Sequence, residues 1–313
     1  MKRLQNNLQK GQALLIVLLG MAVALTMVLS IVSRSVTDIQ LTSRDEETQR
    51  AFSAAEAGVE QVLLTGDTSS GEVAVGVGYT AEVSNVSEGS QTYESSETFK
   101  SGQSETLWYV SHDGDGNLAC DVDHPCTKFG GVNPLRMNVC WGTAGTASNQ
   151  PQTPALEVMI YYDNTPGSSL GVSPNYSNVR ISRAVFDPNT TRAASNHFTA
   201  ATLGCAFNAN YAFNTGVVYL NGIYGIPDSC LQNAGCLLFA KVKPVYNNTT
   251  AHPITVHMVN GDLPGQALLV ESRGTVGTET QSVIEATRSY REIPSVFESA
   301  IFSMGSGANL IKN

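Results

Sequence analysis

From Gln12 to Val32 the chain carries no charge, and only Gln12, Gly20, Thr26 and Ser30 interrupt the apolar side chains. These 21 residues would reach about 31 Å as a helix at ~1.5 Å per residue. That matches the ~30 Å hydrocarbon core of a bilayer, so the pattern predicts a transmembrane helix over 12–32. The helix is not expected to stop there. No proline occurs before Pro125, and Gly58 is the only glycine from Ser33 to Leu64. Phe52, Ala55, Val59, Val62 and Leu63 fall on one face by the 3.6-residue period, so the last turns should pack on a folded domain. Thr42 to Arg50 is polar all round, with Glu46 and Arg50 in the favourable i,i+4 order. The expectation is one helix from Gln12 to Leu64, about 80 Å long, ended by the stretch Gly66 to Gly71.

Beyond Gly71 the period changes to two. Val73, Val75, Val77, Tyr79, Ala81 and Val83 alternate and predict a first strand, broken by Gly76 and Gly78. Residues 84–105 are rich in Ser, Glu and Thr and read as a long exposed loop. Leu107 to Val110 reads as a short strand, and Leu135, Met137, Val139 and Trp141 as a longer one. Gly142 to Pro154 reads as a loop, with strands at Ala155 to Tyr162 and Val179 to Phe186. Further strands are expected at Val217 to Leu220, Leu237 to Val245, Ile254 to Val259, Ala267 to Arg273 and Thr280 to Arg288. Gly274 to Thr278 reads as a hairpin turn.

The predicted fold class is α+β. A long N-terminal helix, transmembrane and then soluble (12–32 and 33–65), precedes a β-rich, mainly antiparallel external domain in two parts, 66–195 and 196–313. The sequence does not separate these as lobes. Residues 1–11 form a leader. Its Lys2, Arg3 and Lys10 lie ahead of the apolar run without an acid among them, which predicts the N-terminus inside and the C-terminus outside a cytoplasmic membrane. Arg34 is a weak opposing charge. Only 14% of residues are charged, and the net charge is −9. With the leader's cations set aside the rest is more acidic still, without the clustered Lys and Arg that phosphate contacts need, so no nucleic-acid partner is expected. The apolar run is longer than a secretory signal core and continues into a soluble helix, which favours its retention. Gly11, between leader and apolar run, is where another kind of cut would fall.

The leader, the Gly11–Gln12 junction, the retained apolar helix and Ala51-Phe52-Ser53-Ala54-Ala55-Glu56-Ala57-Gly58 together resemble a type IV prepilin, and within that family the PilX-type minor pilins. The likeness covers roughly the first 65 residues, and the part from Leu263 to Ser303 also looks like the later strands of such proteins. It implies cleavage after Gly11 by a prepilin peptidase, methylation of the new amino terminus at Gln12, and assembly with other pilin subunits through the N-terminal helix into a cell-surface pilus. Two departures matter. The mature chain would begin with Gln12 rather than an aromatic or Met residue, and its fifth position is Ile16 where most members carry glutamate. An acid there costs ~2.5–3.5 kcal/mol in lipid unless a neighbour neutralises it. A subunit without it suits the tip or the start of a filament better than its repeating body. The alternatives are a membrane-anchored surface adhesin with a calcium-binding loop and a pseudopilin of a secretion or DNA-uptake machine.

Six cysteines in a chain with an export segment point to an oxidising compartment. Cys120/Cys126 and Cys230/Cys236 share a spacing that suits small disulfide loops, which would leave Cys140 and Cys205 as a long-range pair. Other connectivities stay open. Cys120, His124, Cys126 and Cys140 would offer four zinc ligands, but at no zinc-finger spacing. Asp113, Asp115, Asn117 and Asp121 place side-chain oxygens as a candidate Ca²⁺ loop requires, with Asp123 as a further acid. The loop departs from an EF-hand at Leu118 and His124; the competing reading is a solvated Asp/Gly turn. The histidines are His112, His124, His197, His252 and His257, and on a strand His252 and His257 would face opposite sides. No nucleophile or metalloprotease motif is present, so no catalytic residues are expected.

Overall fold

The structure is a computed structural model and describes residues 8–114, 116–128, 134–164 and 178–292, with backbone alone for 8–13. Helix α1 runs unbroken over Leu8–Thr65. It ends at Gly66, whose φ of +79° is the left-handed conformation that glycine adopts most readily after a helix. There follow β1 (Ser69–Ala74), β2 (Val77–Asn85), β3 (Thr92–Glu94), β4 (Glu105–Trp108), β5 (Ser111–His112), β6 (Leu118–Ala119), β7 (Arg136–Thr143), β8 (Ala155–Asp163) and β9 (Val179–Asp187). After them come α2 (Thr190–Asn196), β10 (Thr199–Ala200), β11 (Thr202–Leu203), β12 (Tyr211–Asn214), β13 (Val218–Tyr219) and α3 (Asp228–Leu231). The last strands are β14 (Leu237–Val245), β15 (Ile254–Val259), β16 (Ala267–Val276) and β17 (Thr280–Ser289). The chain is thus α+β: one long, apolar N-terminal helix and then a β-rich, mainly antiparallel region.

The chain folds as two units. Among the described residues, the first takes in α1 to Leu64 with residues 68–82 and 271–285; the second takes in residues 65–67, those within 83–270 and 286–292. In the first, the strand order is β1-β2-β16-β17. The alternation from Val73 to Val83 is not one strand but the hairpin β1–β2, with Ala74 opposite Val77. Val75 is fully exposed at its tip. Gly76, at φ +73°, reverses the chain and donates its N–H to the Glu72 carboxylate at 2.7 Å. The expected turn at Gly274 to Thr278 is also displaced. Gly274 stays inside β16, and the chain turns over 277–279.

The second unit is a sandwich of two sheets, ordered β10-β9-β8-β14-β4 and β11-β12-β7-β15-β3, with β13 also paired to β7. Alternate residues of the two sheets meet in one core. Leu156, Val158 and Ile160 of β8 and Ala240 and Val242 of β14 share it with Met137, Val139 and Trp141 of β7 and Ile254, Val256 and Met258 of β15. The other face of β8 is covered too: Met159 and Tyr161 bury with Val110, Cys120 and Leu238. That double burial explains the unbroken apolar and aromatic run from Val158 to Tyr162 within β8. A division at residue 195/196 does not separate two sheets. β14 lies between β8 and β4, and β15 between β7 and β3. Nor is 84–105 simply an exposed loop. Within it β3 pairs with β15, and Phe99 pairs with His252, both buried. A three-residue strand is too short to show a period.

Candidate functional site

Three places bear on function. The first is α1, a helix long and apolar enough to cross a membrane. Leu14 through Val32 carry their large apolar side chains uncovered, and so do Val36, Ile39 and Leu41. Farther along, the helix packs in its own unit through small residues. Ala51, Ala54, Ala55, Gly58 and Val62 are buried, whereas Phe52 is 46% exposed and Leu63 38%. The expected face was therefore half right: Ala55 and Val62 face inward, but the bulky Phe52 and Leu63 do not. The geometry explains it. A Cβ on Gly274 of β16 would fall on the Ala51 carbonyl oxygen and 2.6 Å from the Ala55 nitrogen, and one on Gly58 would meet Ser272 Oγ and, at 2.7 Å, the Tyr79 ring. Helix and strand backbones approach too closely to admit a large side chain between them. The expected processing residues Gly11 and Gln12 lie within the helical backbone.

The second place is the cysteine-rich part. The disulfides join Cys120 to Cys126, Cys140 to Cys205 and Cys230 to Cys236, the same pairs that the spacing suggests. None of the cysteines is free, so the zinc reading through Cys120, His124, Cys126 and Cys140 fails for want of thiolates. Of the candidate Ca²⁺ residues, Asp113 and Asn117 come together. The Asn117 backbone N–H donates to Asp113 Oδ1 at 2.8 Å and its Nδ2 to Oδ2 at 3.2 Å. Asp121 instead accepts from the backbone N–H groups of Asp123 and His124 and bonds to His124 Nδ1 at 2.8 Å. The His124 hydrogen bond holds its carboxyl below the usual range. Asp115 lies outside the described residues. Among those described, no group of three His, Cys, Asp or Glu side chains is arranged to hold a metal ion.

The third place is a cleft of about 390 Å³ in the second unit, which the sequence reading missed. Its walls bring together residues from β3, β4 and the chain after β17: Tyr93, Glu105, Trp108, Tyr290 and Glu292, with Glu97 and Phe99 from the preceding connection. Tyr93 donates a short hydrogen bond to Glu105. Burial pushes the Glu105 carboxyl up to about 7, helped by the nearby charges of Glu292 and Glu97 and opposed by the Tyr93 hydrogen bond and Lys241. The Lys241 ammonium, 2% exposed, donates to Glu292 at 2.8 Å, and Thr106 donates to the same carboxylate. Gln266 fixes the β4 edge: its Oε1 accepts from the Trp108 N–H at 2.8 Å, and its Nε2 donates to the Trp108 carbonyl at 2.9 Å. Beside the cleft, His112 stacks on Tyr290 at 3.7 Å and meets Trp108 edge-on at 4.6 Å. Burial lowers the His112 pKa to about 4. No sequence motif marks this cleft: Glu94, Glu97 and Glu105 lie near one another in a Ser/Glu/Thr-rich stretch, and Glu292 joins them only through the fold. Comparison of the chain with protein-family models, with curated proteins and with solved structures gives no match.

Proposed function

We propose that this chain is a structural subunit of a type IV pilus, a minor subunit at the tip or start of the filament. It is held in the membrane by α1 with the N-terminus inside, cut after Gly11 by a prepilin peptidase, methylated at Gln12 and assembled with other pilins through α1. The observation that carries the reading is the extent of uncovered apolar surface on that helix. A bilayer covers about 20 helical residues, and from Gln12 these are used up near Val32. Val36, Ile39 and Leu41 lie beyond, yet are as exposed as the residues before them. A static anchor would leave them in water; packing among neighbouring helices covers them. The junction at Gly11 and the stretch from Ala51 to Gly58 support the same reading through their resemblance to prepilins. The external domain supplies the surface that such a subunit presents.

The test is the intact mass and first residue of the full chain, extracted from membranes in which a prepilin peptidase is co-expressed. A chain starting at Gln12 and heavier by one methyl group is expected. A chain still starting at Met1 would overturn the reading and favour a surface protein held by an uncut anchor.

A further inference from the structure

We propose that the cleft between β3, β4 and the chain after β17 binds an alkylammonium group, the chemistry shared by a lysine side chain and a free polyamine. Its walls are acidic and aromatic at once. Glu94, Glu97, Glu105 and Glu292 line it, and no Lys or Arg does so among the described residues. Glu94 accepts from the Tyr211 hydroxyl at 2.7 Å, Glu105 from Tyr93 and Glu292 from Lys241 and Thr106; a carboxylate has about four acceptor sites, so lone pairs remain on these groups as well as on Glu97 for an incoming cation. The neighbouring Lys241 ammonium supplies a single positive charge to Glu292. An anion is therefore repelled, and a cation offsets the repulsion among the carboxylates. Lys241 also shows that an ammonium can be held against this cluster almost wholly out of water. Trp108, Tyr290 and Phe99 provide apolar faces for a methylene chain and ring faces for its charge. A primary ammonium brings N–H donors that match the carboxylate acceptors; a quaternary one would leave them unmet.

The experiment is calorimetric titration of the full chain in non-ionic micelles. The probes are Nα-acetyl-lysine-methylamide, spermidine, and the uncharged isostere Nα-acetyl-norleucine-methylamide. Saturable binding of a charged probe and none of the isostere is expected. Tighter binding of the lysine derivative identifies a peptide side chain as the natural ligand, and tighter binding of spermidine a polyamine. Glu105→Gln keeps an acceptor for Tyr93 and should weaken binding on the order of tenfold, as loss of a charge-assisted hydrogen bond does. Because Glu105 faces Glu97, Glu292, Lys241 and Tyr93, a cation beside it should also release a proton near neutral pH, so the heat should vary with the ionisation enthalpy of the buffer. Equal binding of the isostere, no saturable binding of either cation, or unchanged affinity in a folded Glu97→Gln/Glu105→Gln variant would overturn the proposal. The isostere comparison needs no mutant and stands even if the variants fail to fold.

Discussion

The two units of this chain bury themselves by opposite means. The sandwich is filled by large side chains: Trp141, Phe186, Leu135 and Ile160 are all fully buried. Where α1 packs within its own unit, it does so with almost no side chain at all, through Ala51, Ala55, Gly58 and Gly274. Large residues stabilise the first kind of contact through buried area, at ~25 cal/mol per Å². Small residues stabilise the second through close backbone approach and dispersion. The large apolar residues of α1, from Leu14 to Leu41 and at Phe52, are left uncovered. A helix that spends its small residues on its own unit and keeps its large ones outside is suited to lipid and to other helices.

Substitutions should separate the two modes. The largest effect is expected for Trp141→Ala. It empties the centre of the sandwich and removes the indole N–H bond to the Pro154 carbonyl at 2.8 Å, so chemical denaturation should show a loss of ~3–5 kcal/mol. Next is Gly274→Val. It inserts side-chain atoms where the Ala51 carbonyl sits and should cost ~1–3 kcal/mol, as overpacking does. Hydrogen exchange should then rise across residues 51–62, and a protected helix in that variant would refute the close approach.

The smallest effect concerns pH and tests the polar exception in the sandwich unit. Glu105 is raised from 4.5 to about 7, so the folded chain holds that proton more tightly than the unfolded chain. The contribution is full below pH 4.5 and is lost as pH rises through about 7. His112, lowered from 6.5 to about 4 by burial, works in the opposite sense between those values, and His252 and His257 are lowered as well. At pH 6.5 the His112 imidazole is still half charged in the unfolded chain, so the opposing histidine effect fades only above that value, and the Glu105 effect is read as the difference between the natural chain and Glu105→Gln from about pH 6.5 to about 8. A tenfold difference in proton affinity between folded and unfolded chain is worth ~1.36 kcal/mol; discounted for partial exposure, the effect amounts to ~1 kcal/mol or less in that window. Across that window the melting temperature of the natural chain should fall relative to that of Glu105→Gln; identical slopes would rule out a buried, protonated Glu105.

Much of this architecture was determined by local pattern. An uncharged apolar run with no breaker can only be helix in lipid, because every backbone group must be satisfied within the segment. The strands at 237–245 and 254–259 and the spacing of the cysteines were likewise readable from neighbouring residues. Alternation alone did not locate the reversal at Gly76, because Val75 continues the apolar pattern while standing in solvent at the hairpin tip. Periodicity placed Phe52 on the inner face of α1, because it counts apolar residues and not the space available to them. The tertiary structure decided that only small residues fit against β16. It also decided the sheet order, which interleaves the early and late strands, and so created the cleft: Glu105 and Glu292 are separated by most of the β-rich region and are neighbours only because β14 carries Lys241 beside β4. Local spacing sees residues a few positions apart; electrostatics and packing act on whatever the fold brings together.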